Sequence, residues 1–155
     1  MKLYLVQHGL AMAKDQDPDR PLTESGANET QKVAQHLAHS RHPNPADIVH
    51  SGKTRARQTA EIFADMLGIT NRVEQSDALS PNDDPEVIRR QLAETDKDVM
   101  LVGHMPHVSR LASLLLTGDP DQPVIAFRNS GVVCLVEDQE GGWKLNWMLV
   151  PELVL

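Results

Sequence analysis

The sequence has few aromatic residues and a single cysteine. Two Phe, two Trp and one Tyr stand among 155 residues, so aliphatic side chains must build most of the core. Cys134 lies within an apolar run, which indicates a small core residue and not a reactive thiol. Because the chain has no second cysteine, an internal disulfide is excluded and a reducing compartment is indicated. We therefore expect a cytoplasmic protein.

An excess of positive charge and long hydrophobic runs are also missing. The formal net charge is -7 at pH 7, which argues against a general nucleic-acid-binding surface, because clustered Lys and Arg hold phosphate backbones. No apolar run approaches the ~20 residues that cross a bilayer. The run after Met1 and Lys2 is too short for a secretory signal. We expect neither nucleic acid nor membrane as a partner, although a local anion site is compatible with this charge.

Predicted strands alternate with predicted helices along most of the chain. Predicted strands at residues 3–6, 46–49, 73–75 and 99–102 are each followed by a segment with apolar residues at helical spacing. Such alternation is typical of a parallel sheet covered by helices. The last of these predicted strands is apolar throughout, as expected for a strand in the middle of the sheet.

The C-terminal part departs from this alternation. Residues 132–136 and 143–150 are apolar segments separated by a turn at Gly141 and Gly142, which predicts an antiparallel hairpin. Alternate positions of the second segment predict one buried strand face, formed by Trp143, Leu145, Trp147 and Leu149. We therefore expect one domain, residues 1–155, of three-layer α/β/α architecture, with a mostly parallel sheet and an antiparallel C-terminal hairpin.

Capping residues predict where the helices begin and end. Thr23 is suited to cap the first helix, which should end near His39 because prolines follow shortly after it. Gly68 is placed to stop the second helix. Asp84 is suited to cap the third helix, with Pro85 in the first position, where its missing N–H matters least.

Two histidines follow two of the predicted strands. His8 comes after the strand at residues 3–6, and His104 comes after the strand at residues 99–102. Ligands of open α/β sheets bind at the carboxyl ends of the strands. One histidine in such a place is more often a packed or capping residue, but its repetition favours two imidazoles at one edge of the sheet.

Cations occupy the first turn of the second predicted helix. Lys53, Arg55 and Arg57 lie there, although the helix dipole favours negative charge at this end. A bound anion would explain the departure, since backbone donors and a guanidinium would point at one oxyanion. The alternative is a solvated basic face, which we favour for Arg57.

The two histidines and the cations lie in three short motifs: LVQHG around His8, SGKTRARQTAE at residues 51–61, and VGHMP around His104. A fourth motif, RPLTESG, lies at residues 20–26. Together and in their order along the chain, the four motifs resemble the histidine phosphatase superfamily, and within it the small SixA-type phosphohistidine phosphatases. The resemblance covers the whole chain and implies a phosphoglycerate mutase-like fold. It also implies that His8 attacks phosphorus and forms a phosphohistidine that water hydrolyses, while Arg55 and His104 clamp the phosphoryl oxygens.

Elementary chemistry supports these roles. Neutral imidazole is nucleophilic, and a reference pKa of ~6.5 makes it the majority form at cytoplasmic pH. A guanidinium offers paired donors to phosphate, so neither a metal nor another cofactor is required. We expect catalysis by His8, Arg55 and His104, and substrate binding by Gln7, Gly9, Arg20, Ser51 and Lys53.

The first motif departs from the family at Gln7. The family usually has Arg-His-Gly here, and glutamine can donate a hydrogen bond to a phosphoryl oxygen but brings no charge. Either another cation compensates or catalysis is weaker. Arg20 is slightly favoured over Lys53 as that cation, because its motif belongs to the resemblance and its loop can fold over the pocket. Each is about equally explained as a solvated surface cation.

A general acid for the leaving group is not evident. The chain lacks the long insertion that carries this carboxylate in larger relatives. The acidic residues able to reach inward are more simply loop or capping residues: Asp17, Asp19, Asp83 and Asp84. A phosphohistidine substrate relaxes the need for an acid, because its imidazole nitrogen leaves more readily than an alkoxide.

Three further histidines suggest a metal site. His36, His39 and His42 are spaced three apart near a helix end, but metal sites need a closed ligand set with supporting partners. Because Pro43 and the helix end make a shared geometry doubtful, we expect no metal.

The favoured function is that of a phosphatase acting on phosphohistidine in a partner protein, such as a phosphotransfer domain of a signalling relay. A second hypothesis keeps the phosphatase but makes the substrate a small phosphate ester. A third is a phospho-binding module with weak or no turnover, although a binder would not need a nucleophile. We expect the protein to act as a monomer.

Overall fold

The computed structural model describes residues 1–40 and 43–154, in which one sheet is covered by helices. The strands are β1 (Lys2–Gln7), β2 (Asp47–His50), β3 (Val73–Gln75), β4 (Val99–Gly103), β5 (Val132–Glu137) and β6 (Trp143–Leu149). The helices are α1 (Glu24–His39), α2 (Thr54–Leu67), α3 (Pro85–Ala93) and α4 (His107–Thr117). None of the helices in these ranges has the length and apolar character needed to cross a membrane.

The sheet has the strand order β3-β2-β4-β1-β5-β6. The first four strands of the chain run parallel, with β4 between β2 and β1. β5 is antiparallel to β1, and β6 is antiparallel to β5. Gln7 at the end of β1 pairs with Gly103 at the end of β4. The residues that follow these two strands therefore leave the sheet side by side.

Alternate side chains of β1 enter two separate apolar layers. Leu3 and Leu5 pack with α3 and α4, whereas Tyr4 and Val6 pack with α1 and α2. All four side chains are at most 2% exposed, as expected for a strand covered on both faces. The predicted three-layer α/β/α architecture with a mostly parallel sheet is therefore confirmed.

The predicted caps are present. The Thr23 side chain accepts the N–H of Gly26 at 2.9 Å, and Asp84 accepts the N–H of Glu86 at 3.0 Å. α1 ends at His39, as expected. Gly68 follows α2 with a φ of 72°, a left-handed conformation that glycine adopts without strain. The ends of these helices were predictable because each cap is a contact between near neighbours in the sequence.

The C-terminal hairpin forms, but its side chains are arranged differently from the expectation. The pairing of β6 with β5 contains a register shift that skips Asn146. An extra residue of this kind moves the side chains on either side of it to opposite faces of the sheet. Trp147 packs in the layer of α1 and α2, Trp143 packs in the layer of α3 and α4, and Leu145 is 50% exposed. The prediction of one common buried face is therefore wrong.

Candidate active site

His8 is the first residue after β1 and lies half-buried at the carboxyl edge of the sheet. Its Nδ1 is 2.7 Å from the carbonyl oxygen of Gly9, and its Nε2 is 3.3 Å from Nε of Arg55. A carbonyl only accepts hydrogen bonds and a guanidinium only donates them. The proton therefore lies on Nδ1, and Nε2 presents its lone pair.

His104 lies beside His8 at the same edge. The two ring centroids are 4.9 Å apart, with an angle of 54° between the ring planes. His104 is 1% exposed, and its Nε2 is 2.6 Å from Oγ of Ser51, which follows β2. Three neighbouring parallel strands thus bring two imidazoles and a hydroxyl together.

Arg55 reaches His8 from the first turn of α2. No acidic side chain lies in this turn, and the N-cap residue, Lys53, makes no side-chain cap. Arg57 is exposed and pairs with Glu61 at 3.4 Å, in keeping with a solvated position. The first N–H groups of a helix have no intrahelical partners, so this helix end and Arg55 together suit an anion next to His8.

Two residues that the sequence patterns did not single out hold the turn that contains His8. Thr59 is buried in α2, where its Oγ1 accepts the N–H of Gly9 at 3.0 Å and donates to the Arg55 carbonyl at 2.8 Å. Asn129 donates from Nδ2 to the His8 carbonyl at 2.8 Å. Thr59 had a signal, a hydroxyl within the motif SGKTRARQTAE on the buried side of a helix. Asn129 had none, because it is 121 residues away in sequence.

Two glycines allow α1 to pack closely behind His8. A Cβ on Gly9 would lie 2.7 Å from Oγ1 of Thr30, and a Cβ on Gly26 would overlap the Leu10 carbonyl. Larger residues at either position would therefore push the helix away from the loop. Gly9 was expected to bind substrate; in this structure its N–H donates to Oγ1 of Thr59, and its lack of a side chain allows the close packing.

Both imidazoles are neutral at physiological pH. Burial, together with the charges of Arg55 and Arg20, lowers the pKa of His8 to about 4, although a backbone hydrogen bond opposes this effect. Burial first, and then the neighbouring His8 ring and the charges of Arg55 and Lys53, lower the pKa of His104 to about 3. Since only neutral imidazole has a free lone pair, the low pKa of His8 keeps it nucleophilic.

The two cations expected to compensate for Gln7 act on different parts of the site. Gln7 itself is the half-buried last residue of β1. Arg20 has a φ of 47°, and its charge contributes to the lowered pKa of both His8 and Arg55. Lys53 is exposed and affects the pKa of the second imidazole. The charge of Arg20 therefore reaches the nucleophilic side of the site.

Three of the four acidic residues considered as proton donors make local contacts elsewhere. Asp83 accepts the N–H of Ser80 at 2.7 Å, Asp17 accepts the N–H of Asp19 at 3.0 Å, and Asp84 caps α3. The charges that contribute to the shifted pKa of His8 are those of arginines. Capping and loop geometry therefore account for these carboxylates, as the sequence suggested.

Two of the three histidines considered as metal ligands lie near the end of α1. His36 and His39 are in its last turn, whereas His42 lies outside the described residues. Within residues 1–40 and 43–154, no three His, Cys, Asp or Glu side chains cluster in a way that could hold a metal ion.

The fold and this edge together define a class of enzyme. A nucleophilic imidazole beside a guanidinium, with a second imidazole 4.9 Å away, can accept a phosphoryl group and stabilise its charged oxygens. The arrangement is that of a phosphoryl-transferring α/β enzyme. The chain belongs to the histidine phosphatase superfamily (branch 1), whose sequence model matches residues 3–80. It is thus a phosphatase.

Similar proteins agree with this assignment. An uncharacterized protein of Picosynechococcus sp. is 36% identical over 126 residues, which are 76% of this chain and 74% of that protein. The protein histidine phosphatase SixA, solved with tungstate, is 27% identical over 100% of both chains, with a TM-score of 0.87. A phosphoserine phosphatase of Entamoeba histolytica is 16% identical over 99% of both chains, with a TM-score of 0.75, and shares the fold. The resemblance to SixA-type proteins is therefore confirmed.

Proposed function

We propose that this phosphatase removes phosphate from a phosphorylated histidine of a partner protein, through a phosphohistidine intermediate on His8. The observation that carries the proposal is the Nε2 lone pair of His8, which lies 3.3 Å from the Arg55 guanidinium and beside His104. The likeness to the SixA phosphatase over the whole chain supports the same substrate class. The catalytic roles of these three residues are part of the proposal.

In the first step, Nε2 of His8 forms a bond to phosphorus while the bond from phosphorus to the substrate's imidazole nitrogen breaks. The leaving nitrogen takes a proton from solvent. Arg55 and His104 donate hydrogen bonds to the phosphoryl oxygens, where negative charge accumulates. Water then attacks the phosphohistidine, and inorganic phosphate leaves as His8 regains its lone pair. A carboxylic acid beside His8 is not needed, because imidazole is a good leaving group.

The short connection beside His104 supports a substrate carried by a protein. Only residues 104–106 connect β4 to α4, so no long loop covers His104 from this side. Leu10, two residues after His8, is 47% exposed, and Met105, next to His104, is 41% exposed. We assign these two side chains to the surface that meets the partner protein, whereas small-molecule sites are usually concave pockets. We expect a phosphotransfer domain or a similar protein, met by a monomer of this chain.

A small phosphate ester is the second candidate substrate, favoured by the fold shared with a phosphoserine phosphatase. An alkoxide leaves less readily than imidazole, and the carboxylates of Asp17, Asp83 and Asp84 make local contacts instead. Ester hydrolysis by this chain should therefore be slow. A binding module without turnover is disfavoured by the nucleophilic tautomer of His8, which binding alone would not require.

The decisive experiment is to incubate the protein with phosphoramidate and to measure phosphate on His8 by mass spectrometry at neutral pH. The proposal expects acid-labile phosphate on His8, followed by release of inorganic phosphate. Hydrolysis of a phosphohistidine-bearing phosphotransfer protein is then compared with that of para-nitrophenyl phosphate. A larger kcat/KM for the ester would favour the second candidate, and binding with neither label nor release would favour the module.

A matched control is His36→Asn, which removes an exposed histidine at the far end of α1. This variant should be labelled and should turn over like the original protein. Loss of labelling in this variant would mean that the phosphate is carried elsewhere than on His8.

A further inference from the structure

We propose that Ser51 is a positioning residue that holds His104 in the tautomer with its proton on Nδ1, so that His104 meets the phosphoryl group as a neutral N–H donor. The inference rests on the proposed function for the identity of the ligand. It replaces the expected role of Ser51 as a direct substrate contact. The supporting observations are the hydrogen bonds around Ser51 and one buried nitrogen that has no partner in the part of the chain that the structure describes.

The two hydrogen bonds of the Ser51 hydroxyl determine which partner donates in its contact with His104. Its Oγ is 3.3 Å from the backbone nitrogen of Lys53, which can only donate, and 2.6 Å from Nε2 of His104. Ser51 is 7% exposed, and its hydroxyl has no third partner within residues 1–40 and 43–154. A hydroxyl has one proton to donate. That proton is satisfied only if Ser51 donates it to Nε2.

The other nitrogen of His104 then carries the ring proton. Nδ1 is buried and has no hydrogen-bond partner among the described residues. A buried N–H without an acceptor is unfavourable, and it becomes favourable when a ligand supplies an oxygen. The His104 ring lies against the His8 ring at 4.9 Å, so a phosphoryl group on His8 brings oxygens to this ring. The unpaired N–H is therefore free to donate to an oxygen of the ligand.

The same hydrogen bond prevents His104 from acting as a second nucleophile. Burial keeps the pKa of His104 at about 3, so the ring is neutral and has one lone pair, on Nε2. Ser51 occupies that lone pair. At His8 the lone pair faces Arg55 instead, whose guanidinium can move to the oxygens of an incoming phosphoryl group. Ser51 thus gives two adjacent neutral imidazoles different roles.

The test is nitrogen NMR of protein labelled with 15N-histidine, recorded without substrate, with His104 assigned from a His104→Gln variant. The original protein should show His104 protonated on Nδ1 and unprotonated on Nε2. Ser51→Ala should shift His104 toward the other tautomer or a mixture, and should lower kcat/KM about tenfold to a hundredfold, the usual effect of removing a partner that orients a site residue. Ser51→Thr, which keeps the hydroxyl, should restore both the tautomer and most of the activity.

Ser113→Ala is the matched control. It removes the hydroxyl of another serine that is buried, in α4, and that has no hydrogen-bond partner among the described residues. It should leave the His104 tautomer and kcat/KM unchanged. A comparable loss of activity in Ser113→Ala would indicate general damage from removing a buried hydroxyl, and would overturn the specific role of Ser51.

Two spectroscopic results would also overturn the proposal. One is an original protein whose His104 is protonated on Nε2, and the other is an unchanged tautomer in Ser51→Ala. If Ser51→Ala does not fold, the spectra of the original protein and of Ser51→Thr still show which nitrogen of His104 carries the proton. Because the tautomer is measured without substrate, its result is separate from phosphate labelling of His8, which tests the proposed function.

Discussion

His8 and His104 occupy equivalent places in the fold and have different surroundings. Each follows one of two neighbouring parallel strands, and the paired ends of these strands set the rings 4.9 Å apart. His8 is held by a backbone carbonyl and a cation, whereas His104 is held by a neutral hydroxyl. The comparison teaches that position in a sheet brings a histidine to the site, while its hydrogen-bond partners decide what the ring does there.

The largest effect is expected from removing the first of the two rings. His8→Asn should lower kcat by at least about a thousandfold, because the nucleophile is lost. Phosphate labelling of the protein should disappear, while circular dichroism should show an unchanged fold. Labelling that persists in His8→Asn would mean that His104 or another residue carries the phosphate, and the distinction between the rings would fail.

The second largest effect is expected from changing Arg55, the cation in contact with His8. Arg55→Lys keeps the positive charge but loses the planar donor pair, so kcat/KM should fall about a hundredfold. Steady-state kinetics with a phosphohistidine protein measure this change. Arg57→Lys, on the exposed face of the same turn, is the control and should behave like the original protein. Equal losses in both variants would assign the effect to the helix and not to the contact with His8.

A smaller effect is expected where positive charge replaces the missing arginine of the first motif. Arg20→Ala should lower kcat/KM about tenfold, the scale of one charged hydrogen bond, and Gln7→Arg in the same protein should recover part of the loss. Lys53→Ala should have less effect, because the Lys53 charge acts on the pKa of His104 and not on that of His8. Unchanged kcat/KM in both alanine variants would remove the compensation hypothesis. Arg72→Ala, at an exposed arginine on the β3 side of the sheet, is the control.

The smallest effect is expected from pH over the ordinary range. Since the pKa of His8 is lowered to about 4 and that of His104 to about 3, protonation should leave kcat/KM nearly constant between about pH 5 and pH 8. Below about pH 4 it should fall roughly tenfold per pH unit as His8 takes up a proton. A pH–rate profile that bends near the reference histidine value of ~6.5 would contradict the neutral state of the half-buried His8.

Unfolding measured in the same buffers separates loss of activity from loss of the fold. The pKa of His8 is lower in the folded protein than in the unfolded chain, so between these values the unfolded chain binds more protons. The contribution of His8 to stability is therefore fully present above about pH 6.5. It is lost progressively as the pH falls toward 4. The melting temperature should decrease in that direction.

Local patterns in the sequence were sufficient for most of the fold. Thr23 and Asp84 cap helices through contacts with residues two or three positions away. The apolar runs of β1 and β4 place His8 and His104 at strand ends without knowledge of the packing. The hairpin was predicted, but the faces of Trp143 and Trp147 were not, because a bulge changes the period of alternation without a distinctive residue.

The sequence alone determined the order of strands and helices and the presence of two histidines and an arginine at one edge. It could do so because periodicity, capping and strand ends depend on near neighbours. Only the tertiary structure decided which nitrogen of each ring carries the proton, and which residues hold the His8 turn. Those properties depend on hydrogen bonds between residues 47 to 121 positions apart, such as Arg55 to His8, Ser51 to His104 and Asn129 to His8. Such partners meet only when the helices and loops have packed around the sheet.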